Sequence, residues 1–180
     1  MTNSDAVAAG PNRLFLIGPR GSGKTTVARL LAERLGMGWL DADAVLEERA
    51  GTTIREIFAA EGEAGFRQRE ADLLAELCGL DRQVIATGGG VVLRPENRRR
   101  LRESGFVVWL TADVDTLWAR IAGDATTAAR RPNLTTGGRD EVAHVVATRQ
   151  PYYRECAHLT VDTTHRSPAD IVAAILEGRM

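Results

Sequence analysis

The octapeptide Gly18-Pro19-Arg20-Gly21-Ser22-Gly23-Lys24-Thr25 follows a short apolar run, Leu14-Phe15-Leu16-Ile17, and leads into a stretch with apolar residues at Val27, Leu30, Leu31 and Leu35. The run predicts a strand buried on both faces, and the spacing after it predicts a helix that stops at Gly36. The octapeptide fits the pattern G-x-x-x-x-G-K-[ST]. Its glycines let the backbone curl so that successive N–H groups point at phosphate oxygens, and the helix behind adds the positive end of its dipole. Lys24 brings a compact charge within reach of the β and γ oxygens, and Thr25 supplies a hydroxyl to Mg²⁺. At average residue frequencies the fixed positions match by chance in roughly one sequence in a hundred of this length. The chain therefore has to build a strand–loop–helix unit that holds a nucleoside triphosphate.

The same alternation continues. Trp39-Leu40 leads into Asp41-Ala42-Asp43 and a helical stretch to about Ala50. Thr53 to Ala60 reads as a short helix capped by Thr53, and Glu63 to Leu77 as a longer one with Phe66, Leu73, Leu74 and Leu77 inward. Val84 to Thr87 and Phe106 to Leu110 read as buried strands. Pro95 to Glu103 and Val114 to Ile121 read as helices. The segment 123–138 has no apolar period and reads as a long mobile lid, a length that usually carries function. Glu141 to about Tyr153 is helical up to or around Pro151, His158 to Val161 is a last strand, and Pro168 to Glu177 is a closing helix capped by Ser167. Strands alternating with helices predict an α/β fold, a parallel sheet covered on both faces. Residues 1–12 read as a disordered leader and 13–180 as one domain.

Composition narrows the partners. The chain has 180 residues and a net charge of −1, so bulk charge holds neither nucleic acid nor an anionic membrane. No apolar run approaches the ~20 residues of a membrane span, and the cytoplasm is the expected address. Two cysteines, Cys78 and Cys156, make no disulfide scaffold, and the histidines have no metal-ligand spacing. Among the basic residues there are 22 Arg and one Lys, and that Lys is Lys24. Arg98-Arg99-Arg100 reads as a solvated helix face, and Cys78 as a core residue.

The acceptor side rests on other strand ends. Asp41 and Asp43, two apart on an extended segment, point the same way; one would serve Mg²⁺ through water and the other would accept hydrogen bonds from a polyol. Arg67 and Glu70 share a helix face, and an Arg held by Glu is a fixed fork suited to a carboxylate. Thr87-Gly88-Gly89-Gly90 ends a strand with room for close backbone approach. Arg130 or Arg131 in the lid would cover a transferring phosphoryl group when the lid closes, and Arg149 stands on the later helix. These residues describe a crevice for a small anion with vicinal hydroxyls. A kinase for another polyol acid such as gluconate, or a non-catalytic ATP-binding regulator, shares parts of the pattern.

The chain resembles shikimate kinase, more closely the type II form, from Leu14 to about Leu176. The resemblance rests on residues 15–26, on Asp41-Ala42-Asp43, Ala64-Gly65-Phe66-Arg67, Ile85-Ala86-Thr87-Gly88-Gly89-Gly90, Arg131-Pro132-Asn133-Leu134-Thr135 and Arg149-Gln150-Pro151-Tyr152-Tyr153-Arg154, in that order. Many relatives carry two leucines where this chain has Asn133-Leu134, and the Asn agrees with the type II pattern. The resemblance implies a P-loop kinase fold of five parallel strands with a lid, and transfer of the ATP γ-phosphoryl to the 3-hydroxyl of shikimate in aromatic amino acid biosynthesis. It implies catalytic roles for Lys24, Asp43 and Arg131. ATP would be held by Gly21, Ser22, Gly23, Lys24, Thr25, Thr26 and Arg131, with Arg120, Arg166 and Pro168 near the adenine. Shikimate would be held by Asp43, Arg67, Gly89 and Arg149. Thr25 would bind Mg²⁺ directly and Asp41 through water. ATP and shikimate are the implied partners, and a monomer is the expected state.

Overall fold

A computed structural model describes residues 12–124 and 138–179 of the chain. The expected leader lies almost wholly outside the described residues, and so do Arg130, Arg131 and nearly all of the expected lid.

Five parallel strands form one sheet: β1 (Arg13–Ile17), β2 (Gly38–Asp41), β3 (Gln83–Ala86), β4 (Phe106–Thr111) and β5 (Leu159–Asp162), in the order β2-β3-β1-β4-β5. The helices are α1 (Lys24–Leu35), α2 (Ala42–Ala50), α3 (Ile54–Leu77), α4 (Pro95–Ser104), α5 (Val114–Ala122), α6 (Gly138–Cys156) and α7 (Pro168–Gly178), with a 3₁₀ turn at Val91–Leu93. The expected α/β architecture is the one observed.

The central strands are apolar on both faces, and each face has its own core. Phe15, Ile17, Ile85, Val107 and Trp109 pack with Leu46, Ile57, Phe66, Leu74, Leu101 and Tyr153, which come from α2, α3, α4 and α6. Leu14, Leu16, Val84, Val108, Leu110 and Val161 meet Val27, Leu31, Ile171 and Ile175 of α1 and α7. The chain leaves β1 for the β2 edge and returns to the far side of β1 at β4. The strand order therefore reverses at β1, and a doubly wound sheet opens its crevice at such a point. That crevice lies where the octapeptide emerges.

Several helix ends follow their sequence signals. Thr53 caps α3 in a capping box with Glu56, whose exposed carboxyl the bonds to Thr52 and Thr53 hold down at about 2. Ser167 caps α7 in the same way with Asp170. The two helices expected over 53–60 and 63–77 are joined end to end as α3, with a break at Gly62, where φ is 69°. α6 runs through Pro151 to Cys156 rather than stopping near it. Proline removes one N–H and strains one turn, and the packing of Tyr153 and Cys156, both at most 1% exposed, outweighs that local loss. The tryptophans separate: Trp109 is core, Trp118 packs beside the α5–α6 cluster, and Trp39 on the β2 edge is 40% exposed. Cys78 is half-buried, while burial pushes the Cys156 thiol up to about 12, leaving it unreactive near neutrality.

The basic run on α4 is a solvated face at Arg99 but not at Arg98. Arg98 is only 8% exposed. Its guanidinium donates to the carbonyls of Val92 (2.8 Å) and Leu93 (3.3 Å), pairs with Glu155 (2.9 Å) and lies 4.7 Å over the Tyr152 ring. It thus fastens the 3₁₀ turn to α4 and α6, whereas Arg99 makes only an exposed pair at 4.0 Å with Glu103. Among the described residues no helix is long and apolar enough to cross a membrane.

Two predictions concern stability. Arg98→Ala should cost about 2–3 kcal/mol, because it leaves buried carbonyls without a donor, and Arg99→Ala less than about 0.5 kcal/mol. Urea unfolding of the two variants side by side measures the difference, and equal losses would contradict this account. His158 Nδ1 accepts from the Val107 N–H at 3.0 Å, which only the unprotonated ring can do. Burial first, then the Arg102 charge, holds its pKa below the usual 6.5. The unfolded chain therefore binds the proton more readily, and this contribution, complete at higher pH, is lost as pH falls below about 6.5. His158→Asn keeps an acceptor without the titration, so its unfolding midpoint should fall less than the parent's between pH 7 and 5.

Candidate active site

Gly18 starts the loop with φ at 144°, and a Cβ there would run into the Leu110 carbonyl on β4, so only glycine lets β1 turn this close to its neighbour. Buried Ser22 turns its hydroxyl inward to the Pro19 carbonyl at 2.8 Å. Lys24 Nζ donates to the Gly18 and Pro19 carbonyls at 2.9 and 2.8 Å, so the ammonium is anchored across the mouth of the loop. Gly23, at the N-cap of α1, offers no side-chain acceptor, and the first turn carries no acid. The leading N–H groups of α1 thus lack the side-chain acceptors that Asp41, Thr53, Asp113 and Ser167 give to α2, α3, α5 and α7. That arrangement suits an anion.

A cleft of about 390 Å³ opens over this loop. Gly21, Gly23, Lys24, Thr25 and Thr26 line it from the loop and α1, and Asp41, Asp43 and Glu47 from the end of β2 and α2; Arg67 and Arg149 are not among its lining residues. Gly89 and Thr87 form its edge toward β3, and Arg120 lines it from α5. Arg120 bonds to the Gly21 carbonyl (3.2 Å) and to Thr163 (hydroxyl 3.1 Å, carbonyl 2.8 Å), tying the loop to the β5–α7 connection. Arg166 sits in that connection, reaching the Asp162 carbonyl at 3.4 Å, and does not line the cleft.

Asp41 and Asp43 face the same cleft, but not on one extended segment. β2 ends at Asp41, which caps α2 by accepting from the Asp43 and Ala44 N–H groups through Oδ1. Asp43 lies in the first helical turn. The other Asp41 oxygen, Oδ2, accepts the Thr25 hydroxyl at 2.6 Å. Glu47, one helical turn beyond Asp43, accepts from the Ile54 N–H at 3.0 Å and so sets the α2–α3 corner.

Arg67 and Glu70 pair as the spacing predicts, at 2.7 Å, with both side chains largely buried, and Glu63 supports the fork at 3.4 Å. The Arg67 guanidinium lies on the backbone of Gly90: a Cβ there would come within 2.5 Å of its Cζ and Nη2. Gly89 rests against the phosphate loop, its Cβ position 3.3 Å from the Gly18 carbonyl. The glycine edge therefore joins the two halves of the site. Arg149 lies on α6 four residues before Tyr153, on the same helix face, and the buried Tyr153 hydroxyl donates to the Gly89 carbonyl at 2.6 Å.

Sequence reasoning missed Arg20, Glu47, Ile54 and Asp124, all of which line the cleft, and the seating of Arg67 on Gly90. Tyr153 stood within a recognised motif, but no local signal tied it to Gly89. The donor set fits a hard cation: Thr25 Oγ1 and Asp41 Oδ2 are adjacent oxygens beside the phosphate loop. Among the described residues no cluster of three or more His, Cys, Asp or Glu could hold a metal alone.

A family model for shikimate kinase matches residues 20–178. The shikimate kinase of Symbiobacterium thermophilum is 50% identical over 167 residues, spanning 91% of this chain and 94% of its own length. That of Rhodopirellula baltica is 48% identical over 177 residues, spanning 98% and 94%. Among solved structures, shikimate kinase from Acinetobacter baumannii in complex with shikimate superposes with a TM-score of 0.88 at 39% identity, covering 94% of this chain and 92% of that one. With the family model matching residues 20–178, half its residues shared with a relative over nine-tenths of its length, and the same fold, the chain belongs to the shikimate kinase family.

Proposed function

We propose that this chain transfers the γ-phosphoryl group of ATP to the 3-hydroxyl of shikimate for aromatic amino acid biosynthesis, as a cytoplasmic monomer whose residues 13–180 form one domain with a lid. The observation that carries the reading is the meeting of two elements at one cleft: an amide cradle with Lys24, and against it a glycine edge on which a buried Arg–Glu fork is seated.

Gly21, Ser22, Gly23 and the first turn of α1 direct N–H groups at the phosphates. Lys24 exchanges loop carbonyls for β and γ oxygens, Thr26 lines the cleft from α1, and Arg131 closes over the phosphates from the lid. Arg120 and Arg166 flank the base. The Thr25 hydroxyl can donate to Asp41 and still offer a lone pair to Mg²⁺, with Asp41 reaching the ion through water. When bound, Mg²⁺ offsets phosphate charge next to the carboxylates of α2. Arg67 and Arg149 take the shikimate carboxylate, Gly89 meets the ring with its backbone, and Asp43 holds ring hydroxyls.

The substrate hydroxyl oxygen forms a bond to the γ-phosphorus as the bond to the β–γ bridging oxygen breaks, so ADP leaves and the hydroxyl proton is released to water. Phosphoryl transfer asks the protein for alignment and charge stabilisation more than covalent help. Phosphoryl transfer through a loose transition state gains little from early proton abstraction, so the role of Asp43 is chiefly to orient the attacking hydroxyl.

A coupled ADP-release assay over a panel of hydroxy acids tests the reading. Turnover with shikimate is expected; turnover on gluconate alone, or slow ATP loss indifferent to any acid, would overturn it. In the same assay Arg67→Ala should raise the KM for shikimate about 10–100-fold, the loss of charge-assisted hydrogen bonds, with the KM for ATP nearly unchanged. Arg67→Lys should also be poor, because an ammonium cannot form the bidentate fork. Equal losses for both ligands would place Arg67 elsewhere.

A further inference from the structure

The acceptor edge is Gly88-Gly89-Gly90, and three successive glycines hold no conformation on their own account. Something outside the segment has to fix each peptide plane. On the entry side Thr87 anchors the chain, its N–H and hydroxyl both donating to the Leu16 carbonyl at 3.1 and 3.0 Å. On the exit side the 3₁₀ turn is closed by bonds from Val91 N–H to Gly88 O (3.2 Å) and from Leu93 N–H to Gly90 O (3.0 Å). The turn is held from α4 by Asn97, which donates to Val91 O at 3.0 Å, and by Arg98. The middle carbonyl, Gly89 O, accepts from the Tyr153 hydroxyl at 2.6 Å.

In a trans peptide the carbonyl and the next N–H point in opposite directions, so pinning Gly89 O fixes the whole Gly89–Gly90 plane. Gly90 is the surface on which the Arg67 guanidinium lies. Tyr153 is also four residues beyond Arg149 on α6, so docking its side chain at Gly89 sets the helix face that carries the second guanidinium. Its ring is 1% exposed and stacks on Trp109 at 5.7 Å, which immobilises the hydroxyl.

We infer that Tyr153 is a positioning residue for the acid substrate, setting the Gly89–Gly90 peptide as the seat of Arg67 and at the same time the placement of Arg149. The inference rests on the assignment of Arg67 and Arg149 to the substrate carboxylate. Tyr153 is buried and does not line the cleft, so its effect reaches a ligand only through Gly89, Gly90 and α6, and its loss separates the two ligands.

Tyr153→Phe keeps the stacked ring and removes one hydrogen bond. It should raise the KM for shikimate about 3–10-fold and leave the KM for ATP within about twofold. A role confined to stability would lower the melting temperature without that split. Gly90→Ala acts at the other end of the same peptide: its φ of −99° is open to alanine, and the new Cβ meets the Arg67 guanidinium. It too should raise the shikimate KM alone, and added to Arg67→Ala it should have no further effect on that KM. If Tyr153→Phe yields no folded protein, Gly90→Ala with its Arg67→Ala cycle decides the matter. An unchanged shikimate KM in folded variants, equal rises for both ligands, or full additivity with Arg67→Ala overturns the inference while the parent enzyme still turns over shikimate. A parent enzyme that fails to turn over shikimate overturns the site assignment itself, and the inference with it.

Discussion

The first N–H groups of an α-helix have no acceptor within the helix, and at α1 this chain leaves them without a side-chain cap. Most of the other helices are treated differently. Asp41, Thr53, Asp113 and Ser167 each place an oxygen over the first turn of the helix they precede. Leaving α1 bare raises the free energy of the empty protein locally, and the difference is recovered when an anion occupies the cradle. The rest of the site is arranged around that demand. Gly18 brings the loop against β4, Ser22 buries its own hydroxyl out of the way, and Lys24 bridges the loop carbonyls until a stronger acceptor arrives.

Asp41 shows how one side chain can serve both fold and chemistry. One oxygen caps α2, and the other holds the Thr25 hydroxyl. The helix that carries Asp43 and Glu47 is therefore fastened to the helix that carries the phosphate cradle through a single carboxylate. On the opposite flank the glycine edge has the same double character. Gly89 packs against the phosphate loop and Gly90 against Arg67, so the phosphate loop and the proposed acceptor side share a backbone segment without a Cβ. Close approach of two bound anions needs such a segment, since any side chain there would hold the halves apart.

Much of this was legible in the chain because it is local. The octapeptide with its flanking strand and helix, the caps at Thr53 and Ser167, and the Arg67–Glu70 pair all depend on spacings of eight residues or fewer. What escaped depends on contacts between distant segments. The Tyr153–Gly89 bond spans 64 residues, and nothing in the periodicity of α6 marks its hydroxyl. Arg98 looks like its neighbours Arg99 and Arg100 in sequence, and only the carbonyls of the 3₁₀ turn and Glu155 distinguish it. The spacing of Asp41 and Asp43 predicts a shared crevice through an extended segment. They share it instead because the strand ends at the first and the helix begins before the second.

The central claim is spatial: the uncapped end of α1 and the glycine edge on which Arg67 is seated meet at one cleft, and the proposed transfer runs between them. A crystal structure with ADP and shikimate bound together tests it most directly. The account predicts the β-phosphate on the N–H groups of the loop and α1, with the carboxylate of the acid between Arg67 and Arg149 and its ring against Gly89. An acid bound elsewhere, or phosphates that leave those N–H groups unused, would contradict it.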